Sequence, residues 1–191
     1  MRTQGYVRRR QVVAGVSWAL PAIAVAAAVP AQAVSACRPD LAVQHLPASP
    51  QSAPLLVAPG DSVTIAVRIT EVLGCDACGA SLRLRALRGW TLAFDATFDG
   101  DVLAADGNTY SVTNSIWSVI NSTGSGATLS MPGACISASS STMIAFSLTN
   151  VSAIPGSLAN VTTGILVDTA VPPTYDTNVT NNSSSTYVSG T

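Results

Sequence analysis

The sequence predicts an all-β fold, an antiparallel β-sandwich of about seven to nine strands preceded by an N-terminal helical signal segment. Three observations carry this. Apolar residues recur with a period of two in run after run, turn residues punctuate those runs at even spacing, and no amphipathic helix of useful length follows the first 36 residues.

Residues 1–36 read as a signal peptide. MRTQGYVRRR is a basic leader with Arg2, Arg8, Arg9 and Arg10; an apolar stretch runs from Val12 to Val29; and PAQAVSA offers small-residue cleavage sites after Ala33 or Ala36. Export is expected by the general secretory route or, given Arg9 and Arg10, by the twin-arginine route. An uncleaved membrane anchor is the alternative, because the stretch approaches the ~20 residues a span needs. Pro21, the many Ala and the Ala-Gln-Ala site favour cleavage. Residues 37–191 then have the size of a single domain able to bury its own core.

Along that domain, PASPQSAPLLVA (47–58) is too rich in proline for a central strand and fits a sheet edge or extended connection. In DSVTIAVRIT, Val63, Ile65, Val67 and Ile69 alternate with Thr64, Ala66, Arg68 and Thr70, giving one apolar and one water-facing side. SLRLRAL sets Leu82 and Leu84 against Arg83 and Arg85. In GWTLAFDATF, Trp90, Leu92 and Phe94 share a face, and both Trp90 and Trp117 are expected in the core. Residues 110–120 and 127–131 are strand-like in composition. TMIAFSLT gathers Ile144, Phe146 and Leu148, and NVTTGILV gathers Val161, Ile165 and Val167. Pro59-Gly60-Asp61, Asp99-Gly100, Asp106-Gly107-Asn108, Pro132-Gly133 and Pro155-Gly156 supply the reversals. Near the end, Asp176, Asn178, Asn181 and Asn182 can bond nearby amides and tolerate left-handed φ. They build a polar hook that docks the closing strand, SSSTYV.

Charge and cysteine content narrow the function. Without the leader, five Arg and no Lys face ten acidic residues, a net charge of −5. That leaves no basic footprint for nucleic acid. Charged residues are 10% of the chain, against roughly 25% in ordinary soluble domains, so Ser, Thr and Asn must cover most of the surface, as in extracellular β proteins. Cys37, Cys75, Cys78 and Cys135 make an even set, read as two disulfides with three possible connectivities. A β-turn at GCDACG would bring Cys75 within reach of Cys78, leaving Cys37 for Cys135; Cys37 or Cys135 reaching into that turn stays open. Lipidation of Cys37 after Val34-Ser35-Ala36 is the rival and would leave an odd thiol.

Few residues point to chemistry. The CxxC of GCDACG lies between alternating strands rather than at a helix start, and Cys37 and Cys135 are single, so neither redox catalysis nor zinc is expected. Asp95, Asp99, Asp101 and Asp106 are close enough in sequence to suggest Ca²⁺, but their spacing fits no EF-hand loop and hairpin turns account for them better. His45, the sole histidine, is expected on the surface of an edge strand; no Gly-x-Ser-x-Gly elbow accompanies it. Glu71 is the sole glutamate, so a paired-carboxylate glycosidase would need aspartates assigned to turns. No catalytic residue, metal ligand or cofactor is assigned.

Four motifs together carry a resemblance: PDLAV (39–43) with Asp40 and Leu41; APGDSVTIAVRIT (58–70) with Pro59, Gly60 and Asp61; RGWTL (88–92) with Gly89 and Trp90; and YDTNVTNNSSSTYV with Asp176, Asn178, Asn181 and Asn182. Their succession resembles the repeat module called domain of unknown function 11, and at both ends it is also similar to the cell-adhesion-related bacterial domain. The resemblance implies an immunoglobulin-like β-sandwich of bacterial surface and secreted proteins. It departs at GCDACG, where relatives usually carry an Asn-Gly-type turn. The expected function is a secreted or cell-surface structural or adhesion module without catalysis; the alternative is a binding module for calcium or surface glycan. Its partner would be an envelope or extracellular protein or glycan, with membrane contact only through an uncleaved N-terminal segment.

Overall fold

The computed structural model describes residues 38–87, 89–152, 158–167 and 180–191; the signal segment, Cys37, Pro155-Gly156, Asp176 and Asn178 lie outside them. The first strands are β1 (Leu41–Leu46), β2 (Leu55–Val57), β3 (Ser62–Glu71), β4 (Ala77–Cys78), β5 (Ala80–Arg85), β6 (Trp90–Ala93) and β7 (Asp99–Leu103). Then come β8 (Thr109–Thr113), β9 (Ser118–Thr123), β10 (Gly126–Ser130), β11 (Cys135–Ile136), β12 (Ser141–Asn150), β13 (Leu158–Val167) and β14 (Ser183–Gly190).

Ten of these build an immunoglobulin-like sandwich: a four-stranded sheet in the order β1-β3-β12-β6 and a six-stranded sheet in the order β2-β14-β13-β5-β10-β9. Pairings in the sheets are antiparallel except β2 with β14. The alternation read from the sequence places the core. Ile65 and Val67 on β3 stand opposite Phe146 and Ile144 on β12. These side chains meet Leu82, Leu84, Leu129, Val161 and Val188 of the other sheet in one buried cluster. Trp90 and Trp117 belong to that cluster, with Leu92 buried and Phe94 half-buried beside Trp90. The Pro-rich stretch is an edge, as its prolines require: β2 is three residues long and pairs only with β14.

The remaining four strands form two small ribbons, β4 with β11 and β7 with β8, so the described residues hold more strands than the sequence suggests. Two expectations change. Residues 110–120 are split between β8, in a ribbon, and β9, in the six-stranded sheet, because the chain turns where the Trp117 amide donates to the Asn114 carbonyl at 2.9 Å. Asp99-Gly100 is not a reversal but the start of β7, opposite Thr113 and Val112. The reversal falls earlier, where the Asp95 carboxylate accepts from the amide and hydroxyl of Thr97.

Candidate functional site

The chain crosses between the two sheets twice near the cysteines, from β3 through β4 to β5 and from β10 through β11 to β12. Here the expected disulfide pairing is wrong. Cys78 is bonded to Cys135, directly opposite it in the β4–β11 ribbon with Cα atoms 4.1 Å apart. GCDACG does not close a turn on itself: Ala77 and Cys78 are extended and pair with the other crossover, which takes Cys78 away from Cys75. The expected Cys37–Cys135 bond fails with it. Cys75 is disulfide-bonded as well, to a partner outside the described residues.

Glu71, at the end of β3, holds the same place together. Its carboxylate is buried and accepts from the amides of Leu73 at 3.0 Å, Gly74 at 2.7 Å and Ser139 at 2.9 Å. Burial alone would raise its pKa, but these backbone donors, with that of Cys75, outweigh it and hold the carboxyl below its usual range. Asp76 adds a bond from the Ala138 amide across the crossovers at 2.9 Å. The sequence signal was a lone Glu at a strand end just before Gly-Cys, which sequence reasoning weighed only as a catalytic acid.

The polar hook docks where it is described, but not through the bonds to nearby amides expected of Asn181 and Asn182: their Oδ1 atoms meet no donor and neither residue has positive φ, and the contact is with the distant entry strand. The Asn181 side chain donates to the Asp40 carboxylate at 2.8 Å, and the Asn181 carbonyl accepts from the Val43 amide at 3.0 Å. Asn182 is buried beside it, and Leu41 is buried in the core. Asp40 and Leu41 of the opening motif thus lie next to the closing motif. Pro59, Gly60 and Asp61 form a turn in which the Gly60 amide donates to Asn150 and the Asn150 amide to Asp61. Gly60 has φ +86°, which demands glycine. Gly89 precedes Trp90 at φ +88°, and a Cβ there would lie 2.9 Å from the Ser152 Cβ.

His45 is on the edge strand β1, but it is not a surface residue. It shares the inward parity of Leu41 and Val43 and is fully buried. Its Nε2 lies 2.9 Å from the Thr163 hydroxyl and its ring meets Phe146 edge-on at 6.5 Å. Burial lowers its pKa to about 4. The ring is neutral at pH 7 and closed to solvent, so it cannot serve a substrate as a base.

The four aspartates do not converge. Asp95 binds Thr97, which lowers its pKa. Asp99 accepts from the hydroxyl and amide of Ser115, with the same result. Desolvation is the largest single influence on Asp106 and would raise its pKa, but the bonds it accepts from the Tyr110 hydroxyl at 2.6 Å and from Asn108 together outweigh it and lower it, while raising the tyrosine. Asp101 lies exposed on β7. Among the described residues, no three His, Cys, Asp or Glu side chains gather as a metal site would require.

The concave feature of this face is a cleft of about 330 Å³ between the β7–β8 ribbon and the four-stranded sheet. All three phenylalanines of the sequence, Phe94, Phe98 and Phe146, line it, together with Val102, Asp95 and Asn114. Asn114 makes the cleft possible. Beyond Ala93, where β6 no longer pairs with β12, its buried side chain exchanges two hydrogen bonds of 3.0 Å with the Ala145 backbone and so stands in for the missing strand. It also donates to the Asp95 carbonyl at 2.9 Å. Nothing in the residue pattern of 110–120 marked this Asn.

No protein-family model matches the chain, and no curated protein does. Among solved structures, it is similar to a CARDB domain from Pyrococcus furiosus, crystallised in complex with di-metal ions: 13% identity over 81% of this chain and 90% of that one, TM-score 0.45. It is also similar to a cohesin module of a family 33 glycoside hydrolase from Clostridium perfringens, at 13% identity over 80% and 96%, TM-score 0.45. A third is the sixth cohesin of scaffoldin B from Acetivibrio cellulolyticus, at 14% identity over 77% and 97%, TM-score 0.43.

Proposed function

We propose that the chain is a secreted or cell-surface structural and adhesion module that performs no catalysis. One observation carries the reading: the described side chains best suited to chemistry are committed to the fold. His45 is buried and neutral, Glu71 is saturated by backbone amides, Cys75, Cys78 and Cys135 are in disulfides, Asp95 and Asp106 close local turns, and Asp99 holds Ser115 just past β8. Disulfides of this kind suit an oxidising compartment. Kinship with the domain-of-unknown-function-11 repeats is part of the proposal, supported by the Asp40–Asn181 bond between the motifs at the two ends.

The test is binding of the labelled chain to the envelope of the cells that produce it. Saturable binding, displaced by unlabelled chain, is expected. Its absence, or recovery of the chain only from cytosol with free thiols, would sink the reading. The cleft favours a second reading, in which a surface glycan places one sugar ring on Phe98; Phe98→Ala would then abolish glycan retention without lowering the melting temperature.

A further inference from the structure

Each sandwich has sheet edges whose unpaired amides and carbonyls invite another strand, and natural proteins cover or blunt them. Three of the four edges here are managed. On β1, the Val43 amide donates to Asn181 and the His45 amide to the Ser184 hydroxyl at 3.1 Å. On β6, the Leu92 amide donates to the Gly124 carbonyl at 2.9 Å. β2 is three residues long and lies between Pro54 and Pro59.

The fourth edge, β9, is left bare. It is six residues long, every residue is exposed, and SVINST holds neither charge nor proline. Val119 and Ile120 are 41% and 62% exposed. The two sides of this edge differ in charge, since only the outer one carries arginines. Toward the inside, a notch of about 230 Å³ opens between β6 and β9 and is lined by Leu92, Phe94, Val119 and Ala127, together with Ser122 and Thr123. Toward the outside, a groove of about 190 Å³ runs from β9 to Arg83 and Arg85 on β5, floored by Thr128 and Gly126. Both arginines are exposed, and neither has a carboxylate partner among the described residues. Each stands opposite a glycine on one neighbouring strand, Arg85 opposite Gly126 and Arg83 opposite Gly164, so little side chain shields them.

We propose that β9 is a docking edge for an extended segment of a partner protein in which apolar and acidic residues alternate, added as a seventh strand. Successive side chains of an added strand point to opposite faces. One set would pack against Leu92, Phe94 and Val119 in the notch while the other would lay carboxylates over the groove toward the two free guanidiniums, which match carboxylates well. Backbone pairing supplies affinity, and the two pockets supply selectivity. The proposal rests on the reading of the chain as an adhesion module and names the partner's chemistry.

Selection of a displayed random decapeptide library on the chain, as its producing cells process it, tests this. The selected sequences are expected to alternate apolar residues with Asp or Glu and to bind more weakly as salt rises. In the two-residue hairpin closed by Thr123 and Gly126, the next pair is Ser122 with Ala127, so the Ser122 amide points away from β10. Ser122→Pro should therefore weaken the selected peptides at least tenfold. The double variant Arg83→Ser, Arg85→Ser changes only exposed side chains; it should weaken them as much and remove the salt dependence. No enrichment, selected sequences lacking acidic alternation, or binding indifferent to the arginine pair would overturn the proposal. A concentration-dependent dimer in sedimentation that Ser122→Pro abolishes would also overturn it, giving the edge to a second copy. Selection is indifferent to where the chain resides, so peptide binding without envelope binding would count against the adhesion reading alone.

Discussion

A buried histidine with one polar partner makes a pH dependence. The folded pKa of His45 is about 4, below the ordinary 6.5, because burial disfavours the charged ring. Above pH 6.5 both states are neutral and the full stability is present. Between 6.5 and 4 the unfolded chain takes up a proton that the folded chain refuses, so stability falls with pH, by about 2 kcal/mol at pH 5. Thermal unfolding at pH 7 and pH 5 measures this, and His45→Gln should flatten the profile over that window; an unchanged slope would mean the ring is solvated. Glu71 supplies the second residue-scale prediction. Glu71→Gln keeps the shape but turns an amide NH₂ toward backbone N–H donors, and a loss of about 2 kcal/mol is expected in denaturant unfolding. Neither role was legible from residue type alone. Parity with Leu41 and Val43 would have placed His45 inside, whereas the amides that converge on Glu71 come partly from Ser139, 68 residues away.

Strands were the most legible level, because burial of one face imposes a period of two that survives any choice of partner. DSVTIAVRIT, SLRLRAL and TMIAFSLT are β3, β5 and β12 with the expected faces inward. Pairing was not legible: β3 lies beside β12, and β5 lies between β10 and β13, partners distant in sequence. The split of 110–120 escaped because the turn depends on Asn114 bonding to β12, a tertiary contact. Close strand approach leaves a test at this scale. A Cβ on Gly126 would sit 2.8 Å from the Leu84 carbonyl oxygen, a backbone atom that cannot swing aside. Gly126→Ala should cost about 1–3 kcal/mol as an overpacked contact, while Gly124→Ala, with nothing within 4 Å, should cost far less. Equal melting temperatures for the two variants would refute the β5–β10 register.

For the whole molecule, the decisive connections are the two crossovers that meet at the cysteines, β3 to β5 and β10 to β12, since a sandwich coheres only while its layers stay in contact. Both crossovers meet in the β4–β11 ribbon, where Cys78–Cys135, Glu71 and Asp76 bind one to the other. Four cysteines could indicate two bonds but not their pairing, because a CxxC spacing permits a local bridge as readily as a distant one. The bond spans 57 residues, and the chain-entropy relation assigns closure of such a loop about 4 kcal/mol. The hydrogen bonds of Glu71 and Asp76 keep the ribbon in register without it, so the double variant Cys78→Ser, Cys135→Ser should still fold but melt on the order of 10 °C lower. Non-reducing peptide mapping of the parent chain should release Cys78 joined to Cys135. A peptide linking Cys75 to Cys78 would restore the local bridge and free the crossovers from each other.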